Sequence, residues 1–342
     1  MKKLDFTISE KIVSFYFDAE FAFLNELADK NNSVIITDVN IYRHHKEAFT
    51  GYRVIQIPAG EDHKNQSTAD YIIGELITME AGKGTLLIGA GGGMVTDISG
   101  FVAAIYMRGI KFALVPTSLL AMVDASIGGK NGIDVGVFKN ILGTIRQPEF
   151  ILYDHSFLQT LPMAEWVNGF AEIIKHACIK DPVIFAMLQR LNLHDFQSDK
   201  TLIAELVEKN VLIKTAVVLS DEFEKGERRL LNFGHTLGHA IENLHHLPHG
   251  HAISIGMAAA CNLSEQLNGL NVEVAKKIIS LLAQYHLPVD IKTDHEKVFE
   301  VLKMDKKREG EQVNFILLNS IGEAVIKPIS LNLLYQKLKE II

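Results

Sequence analysis

The sequence predicts an α/β domain at its amino end, followed by a mostly α-helical domain. Short apolar runs rich in β-branched residues alternate with longer amphipathic runs over the first 150 residues, as in a parallel sheet covered by helices. After Asp154 nearly every segment up to Tyr285 has helical spacing. The length of 342 residues exceeds one usual core, so we divide the chain into domains 1–154 and 155–342.

The first domain is predicted to contain four buried parallel strands, at Ser33–Thr37, Tyr52–Ile57, Thr85–Gly89 and Phe112–Val115. Helical spacing places covering helices at Ser67–Met79 and Val95–Met107. The result is a Rossmann-like sheet, which binds ligands at the carboxyl ends of its strands.

The second domain is predicted to begin with a helix after Thr160-Leu-Pro162, because proline is favoured in a first helical turn. The predicted helix breaks are Asp181-Pro182, Pro248-His-Gly250 and Asn268-Gly269. Near the end of the chain we predict a strand pair, Gln312–Leu318 with Ala324–Ile326, and a closing helix, Leu333–Ile341.

Composition excludes several functional classes. Hydrophobic residues make up 48% and charged residues 22%, and no apolar stretch reaches the roughly 18 residues of a membrane span. The net charge of -7 provides no basic field for nucleic acid.

Cys178 and Cys261 lie in apolar helical segments and are predicted to be buried thiols. With no secretory signal at the start, we expect a cytoplasmic enzyme with neither nucleic acid nor membrane as a partner.

A glycine turn follows the third predicted strand. Ala90-Gly-Gly-Gly93 opens a helix, where backbone N–H groups and the helix N-terminus favour phosphate, such as a dinucleotide pyrophosphate. Met94 stands where the common Gly-x-Gly-x-x-Gly pattern has glycine, so a tight structural turn is the alternative. Asp38 and Glu61 follow the first two strands, where ribose hydroxyls are bound; ordinary loop solvation is the alternative.

Charged residues interrupt the apolar segment between Pro116 and Gly132. Asp124 and Lys130 stand between Pro116 and Gly132, and Lys139-Asn140 comes next. Lysine beside glycine suits phosphate binding. A surface loop would also explain the lysines, but it would not explain why Asp124 and Lys130 interrupt so hydrophobic a segment. Arg228 and Asn232, four apart, could hold a carboxylate, although a solvated charge run is the alternative.

Histidines supply the strongest chemical signal. His235 and His239 are four apart, on one helix face, and can converge on one ion. A third imidazole is at His249, and the distant Glu172 could complete a Glu/His/His metal site that has an open coordination position, as in catalytic sites. The flanking Gly234 and Gly238 suggest close approach of the backbone to a ligand rather than packing. A chance pair of histidines is the alternative.

Together these residues resemble the 3-dehydroquinate synthase family, most densely from Gly91 to Gly256. The matching motifs occur in the family's order: Gly91-Gly-Gly93 with Asp97, Tyr106-Met-Arg108-Gly-Ile, Pro116-Thr117, Asp124 through Gly128-Gly-Lys130, Lys139-Asn140, Thr160-Leu-Pro, Ala171-Glu172-Ile-Ile-Lys175, Leu231-Asn232 to His239-Ala, and His249-Gly.

The resemblance implies a homodimeric enzyme that uses NAD and zinc or cobalt. Such an enzyme converts the phosphorylated sugar acid DAHP (3-deoxy-D-arabino-heptulosonate 7-phosphate) to 3-dehydroquinate and phosphate, in the shikimate pathway that leads to chorismate and the aromatic amino acids. NAD oxidises the substrate transiently, phosphate is eliminated, the hydride returns, and an intramolecular aldol reaction closes the ring.

The resemblance also implies residue roles. The metal ligands would be Glu172, His235 and His249, the last also near substrate. The phosphate contacts would be Lys130, Asn140, His239, Arg108 (from the same chain or its partner) and Lys306 or Lys307. The carboxylate contacts would be Lys214, Arg228 and Asn232. Asp124 and Lys175 would contact the reacting hydroxyls, and Glu224 would accept a proton; with Lys130 and His239 these form the implied catalytic set. The NAD contacts would be Asp38, Glu61, Lys64, Gly92, Gly93, Met94, Thr96, Asp97, Thr117, Ser118, Lys130, Lys139, Phe157, Leu158, Gln159 and Thr160.

Four positions depart from the family pattern: Thr96, Asp134, Phe138 and His251. Some motifs also resemble other sugar phosphate cyclases, such as 2-epi-5-epi-valiolone synthase. Arg228 and Asn232 favour DAHP, because sedoheptulose phosphate lacks the carboxylate they would hold. Two further alternatives are a metal-dependent polyol dehydrogenase, such as glycerol dehydrogenase, and a binding protein without turnover.

Overall fold

The computed structural model describes residues 1–136, 138–303 and 308–341, with Arg308 and Glu309 described by their backbone alone. The chain forms two compact units. Unit 1 comprises Met1–Glu165 and Lys200–Glu222, and unit 2 comprises Trp166–Asp199 and Phe223–Ile342. The division between residues 154 and 155 stays a prediction.

Unit 1 contains nine strands within its described residues. They are β1 (Lys2–Ile8), β2 (Lys11–Phe17), β3 (Ser33–Asp38), β4 (Arg53–Ile57), β5 (Leu86–Gly91), β6 (Lys111–Pro116), β7 (Lys130–Val135), β8 (Phe138–Ile145) and β9 (Phe150–Leu152). Seven form one sheet in the order β1-β2-β9-β6-β5-β3-β4, while β7 and β8 form a separate antiparallel pair. Within the large sheet β1 and β2 are antiparallel and the remaining pairings are parallel. The predicted α/β fold is therefore confirmed.

Thirteen α-helices lie in the described part of the chain. They are α1 (Leu24–Leu27), α2 (Val39–His45), α3 (Gln66–Thr78), α4 (Gly93–Ile105), α5 (Met163–Lys180), α6 (Pro182–Arg190), α7 (Leu193–Ser198), α8 (Lys200–Ser220), α9 (His235–His245), α10 (His249–Asn268), α11 (Val272–Gln284), α12 (His295–Lys303) and α13 (Leu331–Ile341). Of these, α1 to α4 and α8 belong to unit 1, α5 begins in unit 1 and belongs to unit 2 from Trp166 onwards, and the others belong to unit 2. No helix among the described residues is both long and apolar enough to span a membrane.

The four strands predicted from apolar runs are β3, β4, β5 and β6, and the two predicted helices are α3 and α4. The amino-terminal hairpin β1–β2 was not predicted. Phe6 and Phe15 pack edge to face across it, with ring centroids 5.0 Å apart, and Ser9 and Glu10 turn the chain with positive φ. Only half of each strand faces the interior, so neither has the continuous apolar run of a buried parallel strand.

The predicted helix breaks of unit 2 are present. Asp181 caps α6: its carboxylate accepts hydrogen bonds from the N–H groups of Val183 (2.8 Å) and Ile184 (2.9 Å). Pro182 occupies the first turn, where no N–H is needed. Gly269 ends α10 in the left-handed region, with φ +74°.

The carboxyl-terminal part of unit 2 contains an antiparallel sheet of three strands. They are β10 (Arg308–Glu309), β11 (Gln312–Ser320) and β12 (Glu323–Ser330), in that order. The last two are the predicted strand pair, and α13 is the predicted closing helix. Leu237, Leu263, Phe315 and Leu334 belong to the core cluster around this sheet.

Both cysteines are buried within unit 2, and neither forms a disulfide. Burial raises the pKa of the Cys261 thiol to about 12, so the thiol stays protonated and unreactive at neutral pH. The prediction of buried thiols is confirmed.

Candidate active site

The glycine turn of unit 1 joins β5 to α4. A Cβ on Gly89 would lie 2.7 Å from the Ser99 hydroxyl oxygen, and one on Gly91 would lie 2.5 Å from the Val95 Cβ. These two glycines therefore let the strand pack directly on the helix. Gly92 precedes α4, and no side chain caps the helix there. The N–H groups of the first turn are thus presented as an anion-binding surface.

A buried lysine lies beside this turn, between two carboxylates. The Lys64 Nζ is 2.7 Å from Glu61 Oε1 and 3.2 Å from Asp97 Oδ2. Burial raises the pKa of Asp97 to about 6, although the Lys64 ammonium opposes the shift. One ammonium thus forms ion pairs with two carboxylates.

Three more predicted cofactor residues lie at strand ends of unit 1. Asp38 is the last residue of β3, and its Oδ1 accepts hydrogen bonds from the N–H groups of Asn40 (2.8 Å) and Ile41 (3.0 Å) at the start of α2. Thr117 and Ser118 follow β6. The Thr117 hydroxyl is buried and has no hydrogen-bond partner among the described residues, whereas its N–H donates to the Gly91 carbonyl. A buried, unsatisfied hydroxyl beside the glycine turn fits a polar group of a bound dinucleotide.

The other predicted cofactor residues differ in exposure. Met94 and Thr96 are buried in α4, and the Thr96 hydroxyl donates to the Gly93 carbonyl at 2.8 Å. Phe157 and Leu158 are buried, so they contribute to the core of unit 1. The exposed members, fully or partly, are Lys130, Lys139, Gln159 and Thr160. Asn140, which is predicted to contact the substrate phosphate, is exposed as well.

Two residues predicted to contact substrate pair with each other in unit 1. The Lys214 ammonium donates to the Asp124 carboxylate at 2.6 Å and to the Asp124 carbonyl at 2.7 Å. Lys214 is 7% exposed, so this ion pair compensates much of the cost of burying its charge.

Unit 2 brings together the three predicted metal ligands. Glu172 lies on α5, His235 is the first residue of α9, and His249 is the first residue of α10. One ligand atom from each lies within 4.8 Å of the other two. Glu172 Oε1 is 3.6 Å from His235 Nε2 and 3.5 Å from His249 Nε2. Two imidazoles and a carboxylate are one of the donor sets found in catalytic zinc sites.

The carboxylate at the centre of this cluster is fully buried. Glu172 is 0% exposed, and its Oε2 forms an ion pair with Lys175, one turn further along α5. An ionised carboxylate remains in such a place only where positive charge is close. Lys175 supplies that charge at one oxygen, and a divalent cation beside Oε1 would supply it at the other.

The two imidazoles are oriented to coordinate a metal. His235 Nδ1 lies 3.2 Å from the Phe233 carbonyl oxygen, and His249 Nδ1 lies 3.4 Å from Glu242 Oε2. Each ring can therefore donate its Nδ1–H and present the lone pair of Nε2 towards Glu172. Burial lowers the pKa of His249, but Glu172 and Glu242 outweigh it and raise the pKa to about 9. This convergence of negative charge is what a divalent cation requires.

The expected reason for Gly234 and Gly238 is wrong. A Cβ on Gly238 would lie 2.8 Å from the Ile253 Cδ1, and one on Gly234, whose φ is +79°, would lie 2.5 Å from the Met257 Cγ. Both glycines therefore allow close packing of α9 against α10, and no ligand is needed to explain them. The two histidines of α9 fall into different groups of possible metal ligands. A ligand atom of His239 lies within 4.8 Å of ligand atoms of Glu242 and His249, whereas His235 groups with Glu172 and His249.

The predicted carboxylate clamp has two members in unit 2. Arg228 and Asn232 lie in one 3₁₀ segment, Glu227–Asn232, and Arg228 is 2% exposed. The Asn232 amide donates to Glu224, so the predicted proton acceptor lies beside the clamp. Arg108 is exposed and has a positive φ of 61°. Lys306 lies outside the described residues.

Sequence reasoning missed two residues of this region. Glu242, on α9, reaches His249, and Asn168, on α5, accepts a hydrogen bond from the Gly250 N–H. Glu242 lies three residues after His239, and Asn168 lies four before Glu172. Each therefore shares a helix face with a predicted site residue, which is the signal that could have identified it.

Comparison with known proteins identifies related sequences. Residues 54–168 match the family model described as 3-dehydroquinate synthase N-terminal, and residues 169–308 match 3-dehydroquinate synthase C-terminal. A 3-dehydroquinate synthase of Campylobacter concisus is 42% identical over 80% of this chain and 79% of its own length. Another from Pyrococcus furiosus is 39% identical over 84% of each chain.

Solved structures share the fold along the whole chain. A 2-epi-5-epi-valiolone synthase from Streptomyces hygroscopicus, with NAD+ and Zn2+ bound, has a TM-score of 0.87 at 25% identity over 96% of both chains. A 2-deoxy-scyllo-inosose synthase complexed with carbaglucose-6-phosphate, NAD+ and Co2+ has a TM-score of 0.86 at 23% identity over 100% of both chains.

Proposed function

Because this chain belongs to the 3-dehydroquinate synthase family, we propose that it converts DAHP to 3-dehydroquinate and inorganic phosphate, in the shikimate pathway. The observation that carries the proposal is the cluster of Glu172, His235 and His249, with one donor atom each within 4.8 Å. Relatives with this activity are about 40% identical over most of the chain.

Glu172, His235 and His249 would hold zinc or cobalt, and the glycine turn of unit 1 would hold NAD. When bound, the cation supplies Lewis acidity that lowers the pKa of a substrate hydroxyl, and NAD supplies a hydride acceptor. The overall conversion is redox-neutral, so NAD is regenerated in each turnover.

The remaining tasks fall to side chains that bind anions and move protons. Arg228, Asn232 and Lys214 would hold the substrate carboxylate. The Lys214 ammonium has three donors, so it can keep Asp124 as a partner and still bind substrate. Orienting the reacting groups in this way is a large part of catalysis for a reaction whose bond changes are mostly intramolecular.

Proton transfers at the substrate hydroxyls would involve Lys175 and Asp124. The Lys175 ammonium is held by Glu172, so it would donate hydrogen bonds to a substrate oxygen next to the cation. Glu224, which accepts a hydrogen bond from Asn232, would accept a proton beside the substrate carboxylate. Lys130, Asn140 and Arg108 would bind the phosphate that leaves, together with His239 and Lys306.

The test compares phosphate release from DAHP and from sedoheptulose 7-phosphate by the purified protein with NAD and zinc. We expect release from DAHP alone, with flat absorbance at the reduced nicotinamide band. Release only from the sedoheptulose phosphate would indicate a cyclase of the valiolone synthase type. Accumulation of NADH with a polyol would indicate a dehydrogenase. Absence of turnover in all of these assays would favour a binding protein without catalytic activity.

A homodimer is part of the proposal. Strand β8 exposes apolar side chains, including Phe138 (57%) and Ile141 (57%). Met107, which directly precedes Arg108, is 47% exposed. Apolar surface of this kind is typical of an interface, and we assign it to a second copy of the chain. In light scattering, I141D should be monomeric, whereas I77D, at the similarly exposed Ile77 of α3, should remain dimeric. A dimeric I141D would contradict this assignment.

We also propose a cytoplasmic location, which cell fractionation followed by immunodetection would test.

A further inference from the structure

Glu242 is a buried carboxylate to which the proposed reaction gives no task. It lies on α9, with 5% of its side chain exposed. Burial of an ionisable side chain of this kind carries a desolvation cost, which is accepted where the carboxylate has a specific partner. One such partner in the structure is the His249 ring.

The His249 ring lies between two carboxylates. Its Nε2 is 3.5 Å from Glu172 Oε1, and its Nδ1 is 3.4 Å from Glu242 Oε2. The two nitrogens of an imidazole have different tasks once one of them donates a hydrogen bond. A ring that donates Nδ1–H to Glu242 must present the lone pair of Nε2 towards Glu172.

The His249 ring is more exposed than the His235 ring, although the rings of His235 and His239 lie near it, with centroids 5.5 Å and 6.2 Å away. His249 is the first residue of α10, and three residues, His246 to Pro248, connect it to α9. Its side chain is 28% exposed, more than the 12% of His235, whose Nδ1 is anchored by a backbone carbonyl. Packing therefore restricts the His249 ring less, and its orientation depends more on a hydrogen-bond partner.

We propose that Glu242 is a positioning residue for the metal centre. It fixes the tautomer and orientation of His249 so that Nε2 is ready to coordinate, and its negative charge makes the imidazole a stronger donor. This inference rests on the proposed metal site formed by Glu172, His235 and His249. It adds a carboxylate that acts through a ligand without coordinating the ion.

A competing arrangement makes Glu242 itself a ligand. His239, Glu242 and His249 also offer donor atoms within 4.8 Å of one another. An ion there would use His249 Nδ1, the nitrogen opposite to the one that faces Glu172. The two arrangements predict different ion counts or different coordinating nitrogens, so they can be distinguished.

The experiment measures zinc affinity of the metal-stripped protein by competition with a chromophoric chelator. We expect E242A to bind zinc about 10–100-fold more weakly than wild type, the usual effect of removing such a partner. E242Q should lie between the two, because an amide oxygen accepts the same N–H with about half the strength of a carboxylate. N243A, at the exposed neighbour on α9, is the control and should bind like wild type.

Spectroscopy separates positioning from general stability. The visible spectrum of the cobalt-loaded protein should change in E242A, and ¹⁵N shifts of labelled histidine should show Nε2 coordination and an Nδ1–H in wild type. Wild-type affinity and spectrum in E242A would overturn the inference. Two ions per wild-type chain, or coordination through Nδ1, would overturn it in favour of the ligand role.

If E242A does not fold by circular dichroism, E242Q decides alone, and wild-type affinity with a wild-type cobalt spectrum overturns the inference. A wild-type protein that binds neither zinc nor cobalt would overturn the proposed function as well. Tight binding by both wild type and E242A would overturn the role of Glu242 alone.

Discussion

Replacing Gly250 by alanine should disturb the metal centre without touching any metal ligand. Gly250 follows His249 and lies against α5. A Cβ there would lie 2.5 Å from the Asn168 carbonyl oxygen and 2.8 Å from its Cα, whereas ordinary contact begins at 3.4 Å. These atoms are backbone, so they cannot rotate away, and the start of α10 must move by about 1 Å. The Gly250 N–H also donates to the Asn168 side chain, a bond that the movement would break.

Three contributions determine the expected stability change. Overpacking costs about 1–3 kcal/mol, and a lost hydrogen bond costs about 0.5–1.5 kcal/mol. The greater helix propensity of alanine returns about 1 kcal/mol at most. We therefore expect G250A to lose about 1–3 kcal/mol of unfolding free energy, because the clash exceeds the gain in propensity.

We also expect G250A to bind zinc more weakly than wild type. A zinc–imidazole bond is about 2.0–2.1 Å long, so the site does not tolerate a displacement of about 1 Å. We expect at least about tenfold weaker binding by chelator competition, comparable to removal of a supporting residue. The control is G74A, on α3, where nothing lies within 4 Å of a new Cβ; it should be as stable as wild type or more so and bind zinc normally. A G250A protein with wild-type affinity and melting temperature would refute the reasoning.

Further predictions concern the metal site, helix packing and pH. E172Q should lose bound zinc, measured by elemental analysis of purified protein, because a neutral amide is a poor metal ligand; zinc retained at wild-type content would contradict the assigned ligand. G256A should unfold at lower urea concentration than wild type, because its Cβ would clash with the Gly234 carbonyl oxygen where α9 and α10 meet; an unchanged midpoint would contradict that packing. The folded pKa of Asp97 is about 6, above its ordinary value of 3.8, so its contribution to stability is fully present below pH 4 and lost as pH rises through 6. Wild type should therefore gain stability relative to D97N between pH 7 and pH 4.5 in urea titrations of cofactor-free protein, and a difference independent of pH would contradict the raised pKa.

Part of unit 1 could be predicted because its central strands are buried on both faces. Burial on both faces requires continuous apolar runs, and β3, β5 and β6 have them. β4, at the edge of the sheet, has a shorter apolar run and an exposed Gln56. The pair β7–β8 gave no such signal. Most residues of β8 are exposed, so its apolar residues follow neither a buried-strand nor a helical pattern.

The metal cluster shows which ligands can be predicted from residue spacing within one helix and which cannot. Four-residue spacing favours His235 and His239 as partners, since they share a helix face. The folded chain instead groups His235 with Glu172 and His249. Their positions lie on three different helices, and periodicity within one helix carries no information about the others.

Local pattern in this sequence determined the elements, their order and the residue types available for chemistry. Tertiary structure alone decided which donor atoms meet, that Gly234 and Gly238 allow helix packing, and that Glu242 reaches His249. The physical reason is the range of the interactions. Strand and helix signals arise between residues two to four positions apart, whereas the metal cluster depends on how closely the backbones of α5, α9 and α10 approach, which packing between distant segments sets.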